Sequence, residues 1–226
     1  MKRFSLFVAA VSLSLLLAGC GSTSQVSKTS SVASEVPLDW QGREFGVGIP
    51  SWAQDLGTGN KNKLKKHPEA EGKKLFALHG EGQDRDLIFS DIGTRRAFGE
   101  IAREIETHVR TTGKSGISGN KDSSEGTSAK VTEELAIAFS RATFSGLEEL
   151  ETFWTLVRRA DGKTEYRCYA LYGMEEELYK KQVHDIVDKV KSQSRTPEEL
   201  SLLERLDEEA QKLVDEVGYT NVGEVR

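Results

Sequence analysis

A framework of disulfides cannot hold this protein together, because its 226 residues contain only two cysteines, Cys20 and Cys168, enough for one bridge at most. A small cross-linked scaffold is thereby excluded. Clustered metal ligands are missing too: the four histidines, His67, His79, His108 and His184, fall on different predicted elements, without the paired spacing of a helical zinc site. Glu104 with His108, and His184 with Asp188, stand one helical turn apart, a spacing that solvated helices produce by chance. No Gly-x-Ser-x-Gly elbow, P-loop or dinucleotide fingerprint is present. Gly113-Lys114-Ser115 has the look of a phosphate loop, but it follows a predicted helix and lacks the strand and upstream glycine such a loop requires. No catalytic set, metal site or cofactor cradle is expected. An excess of positive charge is also absent: the formal net charge is −5, which argues against general nucleic-acid binding.

Long apolar runs are confined to the N-terminus. Lys2 and Arg3 precede an uncharged apolar stretch from Phe4 to Leu17, and small Ala18 and Gly19 lead into Cys20, the order of a secretory signal peptide. The stretch is too short to span a hydrocarbon core of roughly 30 Å as a permanent helix. Leu17-Ala18-Gly19-Cys20 resembles a bacterial lipobox. That resemblance implies diacylglyceryl transfer to the Cys20 sulfur, cleavage before it and acylation of the new α-amine. Each buried methylene contributes roughly 0.8 kcal/mol, and one chain alone anchors only marginally, so three acyl chains attach a protein in effect permanently. Gly21 and Ser22, with no aspartate behind Cys20, resemble an outer-membrane sorting signal, a resemblance that implies a place in the cell envelope facing the periplasm. Loss of residues 1–19 leaves 207 residues and moves the formal charge from −5 to −7. With Cys20 lipidated, Cys168 has no partner; it lies in the alternating apolar run EYRCYALYG and reads as a small buried hydrophobe.

Residues 21–38 are rich in Ser and Thr and carry no hydrophobic periodicity, the composition of a flexible tether. Beyond them, WQGREFGVGIPSWAQDL concentrates two tryptophans, Phe45, Ile49 and Pro50, and is expected to pack as an ordered lead-in. NKNKLKKHPEAEGKK holds six lysines and two glutamates, and reads as a solvated loop, with a patch for anionic lipid or wall polymer as the sharper alternative. KLFALHGEG predicts a strand ended by Gly80 and Gly82. Phe98, Ile101, Ala102, Ile105 and Val109 then recur at three- and four-residue spacings and predict an amphipathic helix. The polar stretch 112–129 has the Gly/Ser composition of a mobile loop. The apolar run from Val131 to Phe139 fits helix or strand, and we read it as helix.

Two β-rich runs flank Ala160-Asp161-Gly162-Lys163, and Asp-Gly is a strong hairpin turn because both positions reach positive φ cheaply. A long antiparallel hairpin over 147–172 follows, expected to pair with the strand near 75–80. Leu178, Val183, Ile186, Val187 and Val190 then mark a helix with acidic residues 175–177 at its positive end. Helices near 94–111 and 175–191 are expected to cover one face of the sheet, so that only that face need be strongly apolar. Thr196-Pro197-Glu198-Glu199 carries an N-cap, a proline at the first helical position and a capping-box glutamate. Leu203, Leu206, Ala210, Leu213 and Val217 continue that last helix, with Gly218 as its expected end. The expected class is α+β: a small antiparallel sheet backed by helices, with an N-terminal signal peptide and flexible tether and a C-terminal helical extension. The expected organisation is a signal peptide over 1–19, a lipidated Cys20 and tether over 20–44, an α+β domain over 45–192, and a C-terminal helix and tail over 193–226.

The lipobox, Pro50-Ser51-Trp52, the strand closing on Gly80-Glu81-Gly82, the helix around Ala97 to Ala102, and the hairpin with Trp154, Asp161-Gly162 and Tyr166, Tyr169 and Tyr172 together resemble the Lpp-twenty lipoprotein family over about residues 45–192. This family includes outer-membrane lipoproteins of the flagellar basal disk. The resemblance implies a small α+β domain acting without catalysis in envelope structure or assembly, with flagellar association as one version. The polar insertion near 112–129 and the C-terminal helix depart from the family pattern. From its own residues the chain is expected to meet the membrane through the Cys20 lipid and not to bind nucleic acid; association with itself or an envelope protein is what the resemblance implies. A periplasmic binding module for peptidoglycan or a partner protein is the alternative.

Overall fold

Alternating apolar residues build a five-stranded mixed sheet, and helices with apolar stripes pack against it, giving the α+β class expected. The computed structural model describes residues 35–58, 60–61, 64–119, 125–193 and 195–225. The signal peptide, Cys20 and residues 20–34 of the expected tether lie outside the described residues. The elements in chain order are β1 (Val36–Trp40), α1 (Ser51–Gly57), β2 (Lys73–Gly82), α2 (Arg85–Asp91), α3 (Thr94–Gly119), α4 (Glu125–Ser140), β3 (Leu147–Arg158), β4 (Thr164–Glu175), α5 (Glu176–Lys191), α6 (Pro197–Lys212) and β5 (Gly218–Val225). Short 3-10 turns lie between several of them.

The hairpin forms as expected. Gly162 adopts φ +84°, the Asp161 carboxylate accepts from the Lys163 N–H at 3.0 Å, and β3 and β4 pair antiparallel from Arg158↔Thr164 to Leu147↔Met174. β4 then pairs antiparallel with β2, placing His79 opposite Tyr169 and Glu81 opposite Arg167. The strand order is β1-β3-β4-β2-β5. Among these neighbours β2 and β5 run parallel, which the sequence reading of a wholly antiparallel sheet did not include. A parallel partner requires a long crossover, and here everything from α2 to α6 supplies it.

On one face, Phe76, Leu78, Cys168, Ala170 and Tyr172 meet the stripes of α3, α4, α5 and α6, all in one buried cluster. Each fully buried Leu, Ile or Phe there contributes roughly 1.5–3 kcal/mol of transfer free energy. The opposite face is covered as well, contrary to the expectation that one apolar face would suffice. Leu75, Ala77, Phe153, Tyr169 and Leu171 pack under Trp52, Ala53 and Leu56 of α1. The strands β2 and β4 are therefore buried on both sides along most of their length.

Three further boundaries differ from the sequence reading. Residues 36–40, expected within the tether, are strand β1, because Pro37 and Trp40 find partners along β3. Most of the expected loop over 112–129 is helix: α3 runs on to Gly119 and α4 starts at Glu125, with 120–124 outside the described residues. Helix propensity alone disfavours this glycine-rich stretch. Gly113 explains the outcome, since a Cβ there would lie 2.2 Å from the Thr132 methyl, so its absence lets α4 lie close against α3. The last helix ends at Lys212, short of Gly218, and Gly218 begins β5 instead. A Cβ at Gly218 would come within 2.1 Å of the Phe76 ring. The capping box on α6 is present, with Thr196 N donating to Glu199 at 2.8 Å and Glu199 N donating to the Thr196 hydroxyl at 3.3 Å. The 193–226 segment joins the same body: α6 buries Leu202, Leu203, Leu206 and Ala210 in the helical core, and β5 completes the sheet.

Candidate functional site

The period-two geometry of strands sends Leu75, Ala77, His79 and Glu81 of β2, and Arg167, Tyr169 and Leu171 of β4, to the face beneath α1. Along this face the side chains change from apolar to aromatic to charged. The His79 and Tyr169 rings stack at 4.7 Å with 7° between their planes. Trp52 meets Tyr169 edge-on at 6.4 Å, and His67 meets Trp52 edge-on at 6.4 Å. His67 accepts the Glu69 N–H at Nδ1 and contacts Glu151 through Nε2 at 3.0 Å. His79 is only 5% exposed, and neither of its ring nitrogens has a hydrogen-bond partner. Burial, reinforced by the nearby Arg167 charge, pushes its pKa down to about 4.

Next to the stack lies Arg167, which ties together the two ends of the described chain's first 132-residue span. Its guanidinium donates to both oxygens of Glu35, at 2.7 and 2.6 Å. It also donates to Glu165 at 3.3 Å and lies 3.7 Å from Glu81. Glu165, 4% exposed, receives Arg159 at 2.9 Å on its other oxygen. The hydrogen bond from Arg167 holds the Glu35 carboxyl below its usual range, and the same bond raises the Arg167 pKa. Between this ion cluster and α1 is a pocket of about 260 Å3. Arg167, Glu35 and Tyr169 form one side, and Ile49, Ala53 and Val157 supply apolar wall.

Around the lead-in, a second feature faces solvent. Gly42 and Gly46 take φ +79° and +75° and turn the chain after β1. The Trp40 indole N–H donates to the Val47 carbonyl at 2.7 Å, and Arg43 lies over the Trp40 ring at 4.9 Å and donates to the Leu38 carbonyl. This turn presents Phe45, 82% exposed, and Val47, also exposed; Val36, at the other end of β1, is exposed as well. β1 is an edge strand of five residues, interrupted by Pro37 and a register shift, features that blunt strand-to-strand pairing.

The residues singled out from sequence separate from one another. Cys20 lies outside the described residues. Cys168 is fully buried on the helical face, a free thiol whose pKa burial pushes up to about 12. Gly113-Lys114-Ser115 sits inside α3, not at the strand-to-helix turn of a phosphate loop. Of the lysines between 61 and 74, Lys74 is wholly buried, Lys73 pairs with Glu148 at 3.4 Å and Lys61 lies over Tyr219 at 5.9 Å. Lys65 and Lys66 are exposed. Trp154 is half-buried, edge-on to Tyr166 at 5.8 Å and beneath Arg85 at 5.5 Å. Among the described residues no group of three or more His, Cys, Asp or Glu could hold a metal ion, and no helix is long and apolar enough to cross a membrane. The Arg167 cluster was missed at sequence level. The alternation of EYRCYALYG does carry a signal, since it places Arg167 and Tyr169 on the face opposite Cys168, but nothing local links Arg167 to Glu35.

Compared with known proteins, the chain matches no family model, no curated protein and no solved structure.

Proposed function

We propose that the chain is a bacterial outer-membrane lipoprotein, anchored through Cys20 and facing the periplasm, whose body acts without catalysis by assembling with further copies of itself. The exposed apolar side chains Phe45 and Val47 of the turn after β1 carry this reading. They follow on the segment that leads from the lipid. Anchoring many copies to one membrane through Cys20 raises their local concentration, which makes a weak contact effective. Meeting patch to patch across a two-fold axis, they form a closed pair. The blunted edge of β1 directs the contact to side chains instead of open strand pairing. The resemblance to the Lpp-twenty family supports an envelope role, and flagellar association is its narrower version. The non-catalytic reading is supported by the placement of Cys168 on the helical face of β4, Tyr169 on the opposite face and His184 on α5, which brings no two of them together as nucleophile and base.

The test is a photo-crosslinking amino acid at position 45 in cells that make the lipidated protein. A crosslinked homodimer supports the assembly reading. Crosslinks to a different envelope protein, or to peptidoglycan, reject it in favour of the periplasmic binding module. That second reading has one specific observation behind it, the pocket over Arg167.

A further inference from the structure

We infer that the pocket over Arg167 is a binding site for a free carboxylate borne on a small apolar group, such as a peptide C-terminus, and that Glu35 is its resident occupant. The inference does not depend on the assembly reading. Three observations carry it. First, the guanidinium is preset without Glu35. Glu165 receives Arg167 at 3.3 Å and is itself held by Arg159 at 2.9 Å, and Glu165 is almost wholly buried, so the fork stays aimed when Glu35 leaves. Second, two guanidinium N–H groups are left over for one carboxylate. With Glu35 withdrawn, Arg167 and Arg159 balance Glu165 and Glu81, and the remaining pair of Arg167 donors is open to a planar anion in the bidentate geometry arginine favours. Third, the space beside the carboxylate is real and apolar on one side. The pocket of about 260 Å3 is lined by Arg167 and by Ile49, Ala53 and Val157, with Gln54, Thr58 and Thr155 also in its wall.

Glu35 suits the part of a displaceable ligand. It precedes a five-residue edge strand and is 47% exposed. Its removal therefore uncovers Arg167 without opening the core. As part of the same chain it competes at an effective concentration on the order of millimolar. An external carboxylate thus binds the natural protein weakly and binds more tightly once Glu35 is neutralised.

The experiment is calorimetric titration of full-length protein in nonionic detergent with N-acetyl dipeptides ending in alanine. Four forms separate the possibilities: free-carboxylate and amide-capped peptides, each built from D-alanine or L-alanine. Glu35→Gln is expected to bind a free-carboxylate peptide at least roughly tenfold more tightly than the natural protein. The amide-capped peptides should bind neither, and adding Arg167→Met to Glu35→Gln should abolish binding. A preference for the D form points to wall stem peptides as the source, and a preference for the L form to protein C-termini. Thermal unfolding of each variant checks that Glu35→Gln remains folded. The inference is overturned by absence of carboxylate binding in folded Glu35→Gln, by equal binding of the amide-capped peptide, or by unchanged affinity when Arg167 is replaced.

Discussion

The Lys74 ammonium lies 3.2 Å from the Glu104 carboxylate with none of its own surface exposed. It also donates to the carbonyls of Leu213 at 2.7 Å and Glu216 at 3.0 Å, and lies over the Tyr179 ring at 5.8 Å. One buried cation thus joins β2, α3 and the turn that delivers β5 to the sheet. Burial pushes its pKa down and Glu104 opposes that shift.

Replacing Lys74 by Met leaves a largely buried carboxylate and two carbonyls without their donor. The expected loss is about 3 kcal/mol of unfolding free energy, measured by urea denaturation. The double variant Lys74→Met with Glu104→Leu should recover part of it, because the remaining charge is gone. No recovery would show that Lys74 acts through the carbonyls alone.

Acid should weaken the protein through His79. Its pKa is about 4 when folded against an ordinary 6.5, so the unfolded chain takes up a proton first as pH falls. Stability is therefore full above pH 6.5 and declines toward pH 4, by about 3 kcal/mol in all. His79→Phe preserves a ring against Tyr169 and should flatten that slope. Denaturation midpoints at pH 7, 5.5 and 4.5 check it, and an unchanged slope in the variant rules the assignment out.

His184 should act in the opposite sense. Its Nδ1 is 2.7 Å from Asp207 of α6 and its Nε2 is 3.2 Å from Asp188 of α5. The hydrogen bond to Asp207 raises its pKa. The contribution is present below pH 6.5 and is lost as pH climbs through the raised value. With half the side chain in solvent, it amounts to well under about 1 kcal/mol and shrinks with added salt. Comparison of His184→Gln with the parent at pH 6 and pH 8, in low and high salt, reads it directly.

Gly113→Ala offers a test of sign. In an ordinary helix interior this change stabilises by roughly 1 kcal/mol. Here the new methyl would meet the Thr132 methyl at 2.2 Å and its Cβ at 2.9 Å, so no rotation of Thr132 relieves the clash. Destabilisation of about 1–3 kcal/mol is expected, with partial rescue by Thr132→Ala. A stabilised single variant would mean that α3 and α4 do not approach so closely in solution.

Lipidation is checked by mass spectrometry of the protein taken from bacterial membranes. The expected mature N-terminus is a triacylated Cys20. Cys20→Ala should release the protein from the membrane fraction without changing its unfolding midpoint, since Cys20 precedes the packed body by more than a dozen residues.

What the sequence alone determined is the part encoded within a turn or two of chain. Asp161-Gly162 specified the hairpin because only residues tolerant of positive φ close so tight a turn. Thr196 to Glu199 specified where α6 begins, because both halves of the capping box lie three residues apart. The alternation around Cys168 separated the two faces of β4. Only the tertiary structure decided the order β1-β3-β4-β2-β5, the parallel seating of β5 and the covering of the second face by α1. The same holds for the helical state of residues 112–119, where close packing of Gly113 on Thr132 outweighs poor propensity. It holds most fully for Arg167 and Glu35, which meet across 132 residues. No local window encodes such a pair, because what brings it together is the joint burial of both sheet faces, a property of the whole chain and not of any segment.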